Sequence, residues 1–162
     1  MNRYGPQYWD KYGSYRTPLA FHLSLLVLLR GYFIWAVAAL SRRPDLDLMS
    51  LFFRTKNDFF IAVAIGAIAI LPLAVFCLRR PRDSHLQSER LARVWRFMRW
   101  PLVLCAVIDL TWLSIQAAHS HYQFSGLLAG QMVLVLWVTL YLVKSRYLVV
   151  FFNDWPEPND KK

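Results

Sequence analysis

Four long apolar runs, separated by polar and charged segments, set the pattern of this chain: residues 18–40, 59–78, 101–118 and 124–143. None alternates with a period of two, and none shows the single apolar stripe of a helix that covers a soluble core. About 20 apolar residues at 1.5 Å per residue cross the hydrocarbon layer of a bilayer. Each run therefore predicts one transmembrane helix, and the fold class is all-α, a four-transmembrane-helix bundle. Four spans with short loops and tails account for residues 1–162 as a single membrane domain. The "AVA" at Ala36–Ala38 resembles a leader cleavage site, but the first run is too long for a leader core and Arg30 interrupts it. A retained helix is expected.

Between the second and third runs the pattern changes to "SHLQSERLARVWRFMRW". Ser84 and Gln87 have capping-box spacing, and Leu91, Val94, Trp95 and Met98 then recur on one helical face. Arg90, Arg93, Arg96 and Arg99 occupy the rest. This predicts an amphipathic cytoplasmic helix lying on anionic phospholipid headgroups before turning into the third span at Pro101, with those four arginines as the headgroup-binding residues. A docking surface for a cytosolic partner is the competing reading. The tail "YLVVFFNDWPEP" is too short to cross again and is expected along the inner surface, and the first outer loop, with Leu48, Met49, Leu51, Phe52 and Phe53, is expected to dip into the outer interface.

Composition agrees with the pattern: 57% of residues are hydrophobic and 16% aromatic. Aromatic residues such as Tyr8, Trp9, Tyr12, Trp100, Tyr122, Tyr147 and Trp155 flank the runs, where amphipathic rings settle at headgroup level. The net charge of +9 raises the question of nucleic acid, which the distribution of the basic residues answers. Fourteen fall in the N-terminal tail, the second loop and the C-terminal tail, against four on the opposite side. That asymmetry predicts cytoplasmic N- and C-termini, and no nucleic-acid partner is expected.

Little in the sequence points to catalysis. Cys77 and Cys105 form no C-x-x-C and read as packing residues. A haem would need two histidines at one depth, but His22 and the His119/His121 pair belong to opposite ends of their spans and His85 to a loop, so no cofactor is expected. His119 and His121 have no carboxylate or cysteine nearby and do not make a metal site. No G-x-S-x-G, H-E-x-x-H or P-loop pattern occurs. Ala62 with Gly66, and Gly126 with Gly130, are small residues at four-residue spacing, expected to let helices approach closely within the bundle. Pro72 should kink the second span.

The polar residues inside the spans are more informative. Arg30 stands at the centre of the first run, where an arginine costs about 2.5–3.5 kcal/mol on insertion scales. Asp109 is the one carboxylate deep in a span, at a height within roughly 6 Å of Arg30 at helical rise. An intramembrane ion pair between Arg30 and Asp109 follows as an expectation. Trp112 and Gln116 share the face of Asp109, and with Gln131 on the fourth run they make a candidate polar site.

Several stretches, "YWDKYGSYRTPL", "LLRGYFIWAVAALSRR", "LMSLFF" and "SRYLVVFFNDWP", resemble one family of small inner-membrane proteins of gammaproteobacteria, the YfeZ-like proteins. Tyr12, Gly13, Pro18, Arg30, Ser41 and Phe52 match its pattern. The resemblance implies a four-helix inner-membrane protein and no particular activity. Three classes of function follow. The favoured one is a non-catalytic accessory or regulatory component of a membrane assembly, with a membrane-protein partner. A homo-oligomeric transporter or channel using the Arg30/Asp109 site is the alternative. A lipid-acting enzyme ranks last, because no second acid–base group accompanies Asp109.

Overall fold

In the computed structural model, which describes residues 15–41, 52–53, 55–79, 85–119 and 126–155, every regular element among the described residues is a helix. They are α1 (Leu19–Leu28), α2 (Arg30–Leu40), α3 (Lys56–Cys77), α4 (His85–Phe97), α5 (Arg99–His119), α6 (Gly126–Lys144) and α7 (Arg146–Asn153). Leu48, Met49 and Leu51 of the outer loop and the residues Tyr8, Trp9, Tyr12, Gly13, Ser84, His121 and Tyr122 singled out above lie outside the described residues, whereas Phe53 is described and is buried with Phe59 and Ala62.

Three stretches are long and apolar enough to cross a membrane on their own: Lys56–Cys77, Glu89–His119 and Gly126–Lys144. Only 28%, 28% and 17% of their apolar windows are buried inside the protein, so most of that surface faces outward. Such exposure is tolerable in lipid and ruinous in water. α3 begins three residues before the apolar run because Thr55 caps it. The Thr55 hydroxyl accepts from the Asp58 amide at 3.1 Å, and the Thr55 amide donates back to the Asp58 carboxylate at 3.0 Å. Pro72 is accommodated inside α3.

The first apolar run is not one helix. It breaks at Leu29, and α1 and α2 meet at 70°, either a broken span or a re-entrant loop by length and composition. No proline or glycine occupies the break. At the break the Arg30 guanidinium donates to the Val27 carbonyl at 3.3 Å, which gives a backbone acceptor of the last turn of α1 a partner. Even so, the bent pair runs antiparallel along the length of α3. Phe21 meets Phe76 with ring centroids 5.4 Å apart, the Leu28 carbonyl lies against Gly66, the Tyr32 hydroxyl donates to the Val63 carbonyl at 2.9 Å, and Ile34 packs on Phe59 and Ala62.

α5 lies between α3 and α6, its two main neighbours, while α4 meets α7 and the end of α3. α4 runs into α5 with a single-residue interruption at Met98, and the stretch from Glu89 to His119 is effectively one 31-residue helix. The apolar face of α4 is turned inward at Trp95, which is fully buried. Its indole Nε1–H donates to the Phe151 carbonyl at 3.1 Å, and Phe21, Phe76, Phe151, Phe152 and Trp155 surround it. α7 is therefore folded against the bundle with Leu148, Phe151 and Phe152 buried.

Candidate functional site

Asp109 is the middle residue of α5, ten residues from either end, and is 3% exposed. Arg30 opens α2 directly after the break, its side chain 14% exposed. The structure brings the two together. Nη2 donates to Oδ1 at 2.8 Å and Nη1 donates to Oδ2, the parallel two-bond geometry in which a planar guanidinium grips a carboxylate. With the Val27 carbonyl also on Nη1, the arginine closes over both the carboxylate and the open end of α1. The site so combines a charge pair at mid-helix depth with the facing ends of two half-helices. Interrupted helices that place polar termini at the membrane midplane are a recurring way to build solute and ion sites.

The other candidates separate from it. Trp112 packs against the main core one turn beyond Asp109, and its Nε1–H is buried with no acceptor among the described residues. Gln116 is half-buried farther along α5. Gln131 is engaged elsewhere, donating to the Phe52 carbonyl at 3.2 Å. Cys105 is buried one turn before Asp109 and its thiol donates to the Ile65 carbonyl at 3.3 Å, whereas Cys77 is exposed. His22 touches the Phe21 and Phe76 rings, and His119 is exposed at the end of α5. No group of three metal-ligating side chains occurs among the described residues.

The four arginines of the α4 region divide. Arg90, Arg93 and Arg96 are exposed. Arg99 is committed to protein: Nε donates to the Leu142 carbonyl at 2.9 Å and Nη2 to the Val143 carbonyl at 2.7 Å. Those carbonyls are among the last four of α6, which have no partner within the helix, so Arg99 completes a helix terminus instead of reaching outward to headgroups.

The small residues divide too. Gly66 is a true close-approach position: a Cβ there would stand 3.1 Å from the Leu28 carbonyl oxygen and 3.1 Å from the Tyr32 ring. Ala62 packs beside it with Phe53 and Phe59. Around Gly126 and Gly130 no atom of the described residues lies within 4 Å of an added Cβ, so among those residues this pair mediates no packing within the bundle. Gly66→Ala should thus lower the thermal midpoint of the purified protein by several degrees, while Gly130→Ala should leave it unchanged or slightly raised, glycine being a poor helix former. Equal losses in both variants would contradict these contacts.

A second polar junction, not anticipated from sequence, closes the end of the bundle nearest Trp95. The Asp154 carboxylate accepts from Arg79 Nη2 at 3.2 Å and from the Tyr15 amide at 2.7 Å. The Arg79 guanidinium also lies over the Phe151 ring, 4.3 Å from its centroid. The "ND" of the tail and the arginine after the second apolar run were visible, but nothing local connects them.

The sequence profile of a family described as "Protein of unknown function (DUF2919)" matches residues 4–154. A similar protein is "Inner membrane protein YfeZ" of Escherichia coli (strain K12), 30% identical over 107 residues. The match covers 66% of this chain and 66% of that relative, just under two thirds of its length. No solved structure matches.

Proposed function

Given that the chain belongs to the DUF2919 family, which brings no activity with it, we propose from the site itself a small membrane transporter whose polar centre is the Arg30–Asp109 pair. It is a multi-pass inner-membrane protein: it has several helices able to cross a membrane, and its relative in Escherichia coli is named an inner membrane protein. One observation carries the transport reading: the first apolar run breaks at Leu29, beside the buried arginine. An ion pair needed only to fix helix register would sit as well in an unbroken span. A break adjoining the pair supplies a joint where the site can open, and this places transport ahead of the accessory role favoured by sequence alone.

Two further features support the reading. The antiparallel course of α1 and α2 along the whole of α3 favours a broken span over a re-entrant loop, giving four crossings and both termini in the cytoplasm. Arg90, Arg93 and Arg96 remain available for anionic headgroups where α4 leaves the membrane, although α4 continues the line of α5 and does not lie flat. A reporter active only outside the cytoplasm should be silent when fused after Lys162 and active when inserted between His119 and Gln123. The reverse pattern would overturn the topology.

Four helices enclose a narrow path, so transport calls for a homo-oligomer. Native mass measurement in mild detergent is expected to give a dimer or larger assembly of this chain alone. A stable complex with a different membrane protein would favour instead the accessory component, which the uncovered Gly126–Gly130 face of α6 also suits.

A further inference from the structure

Arg30 carries five N–H donors, and three are used. Nη1 serves Oδ2 of Asp109 and the Val27 carbonyl, and Nη2 serves Oδ1. The remaining two are the second Nη2 proton and Nε–H, the latter fully buried and without a partner among the described residues. Nη2 is the terminal nitrogen on the Nε–H side of the guanidinium plane, so these protons lie on one edge, parallel and spaced for two oxygens of one acceptor. Trp112, three residues beyond Asp109 on α5, holds a second buried donor with no acceptor among the described residues. Buried donors left unsatisfied in a low-dielectric interior are costly and uncommon, and the one on the ion pair itself, with a second three residues along α5 from Asp109, points to a missing acceptor.

We propose that the free edge of Arg30 is the binding site for a small monocarboxylate, taken up together with one proton. A carboxylate matches the two-donor edge, which a single water would satisfy less well. Charge selects the monoanion. Arg30 and Asp109 together are neutral, and a bare anion would leave one uncompensated negative charge at mid-helix depth. The balance closes if the ligand's acid O–H bond breaks, its proton passes to a carboxylate oxygen of Asp109, and the ligand carboxylate pairs with the Arg30 edge. The site is then neutral before and after, with Arg30 positive, the ligand negative and Asp109 a neutral acid. A phosphate dianion would need a second proton or cation. The titratable groups beside Asp109 among the described residues are Arg30 on α2 and Cys105 on α5 itself. Entry uses the joint at Leu29, where α2 can swing without unwinding either helix.

This proposal rests on the transport reading for its purpose, but binding and movement are measured separately. The full chain in lipid nanodiscs is unfolded thermally with increasing sodium lactate or acetate, against sodium chloride at equal ionic strength, at pH 5 and pH 8. Carboxylate is expected to raise the midpoint saturably, with an apparent affinity that tightens about tenfold for each pH unit lowered, up to about a thousandfold from pH 8 to pH 5, since one proton is bound with the ligand. Arg30→Lys keeps the charge but loses the planar edge and should abolish the shift. Should that variant not fold, Trp112→Phe keeps the ring, removes the N–H and should weaken binding severalfold. The absence of a carboxylate-specific shift at both pH values, or a shift unchanged in Arg30→Lys or Trp112→Phe, overturns the site. Binding without lactate uptake into proteoliposomes would remove the transport reading and leave the site standing.

Discussion

Arg30→Leu alone should cost about 3–5 kcal/mol of stability and Asp109→Leu a comparable amount, while the double leucine variant should recover most of the folded yield. The reason is asymmetry. Each single change strands a charge at mid-helix depth, about 15 Å from either end of α5, too far for the short aspartate to reach water. Removing both leaves two leucines among apolar neighbours, which costs little. Folded yield can be followed by fluorescence-detected size exclusion of detergent extracts. A double variant as poor as the sum of the singles would show that the two residues are not energetically coupled. If the double variant folds but no longer responds to carboxylate, the pair serves binding as well as structure.

Trp95→Ala is expected to be the other severe change, lowering stability by about 3–5 kcal/mol, as for other buried large aromatics cut to alanine. Val94→Ala, one residue away and 42% exposed in the native side chain, should cost far less. The difference arises because Trp95 is fully buried among five aromatic rings and its indole N–H satisfies a backbone carbonyl of α7. Truncation would open a cavity and leave the Phe151 carbonyl unpaired as well. Unfolding of the purified protein by graded denaturing detergent compares the two variants directly. Similar losses for both would mean that α4 meets lipid with this face and that the aromatic cluster does not hold it.

The three helices long and apolar enough to cross on their own were legible because length and hydropathy alone determine what can cross a bilayer. The demand of Arg30 for a carboxylate was legible in the same way: a charge at that depth needs a partner, and Asp109 was the one acid at a matching depth. The break at Leu29 was not. Neither Leu29 nor its immediate predecessors are helix breakers, and nothing in the local pattern sets this position apart from the rest of the apolar run. Trp95 illustrates a different blindness. An apolar stripe beside arginines has one sequence signature whether it meets lipid or protein, and only the position of α7 decides. Arg99 was read as a headgroup ligand because the carbonyls it caps lie more than forty residues away in the chain. The two small-residue pairs look alike in sequence, yet only Ala62 and Gly66 are covered in the bundle.

The Asp154 junction has a consequence for the order of biogenesis. Asp154 binds the backbone of Tyr15 and the side chain of Arg79, and its neighbours Phe151 and Phe152 complete the packing around Trp95. These residues leave the ribosome after every membrane-spanning stretch has been made. The spans can enter the lipid one by one during synthesis, but this end of the bundle stays unsealed until translation of the tail is complete. A nascent chain halted before residue 146 would therefore be inserted yet open, exposing Phe21, Phe76 and Trp95 to the proteases and chaperones that patrol the membrane surface.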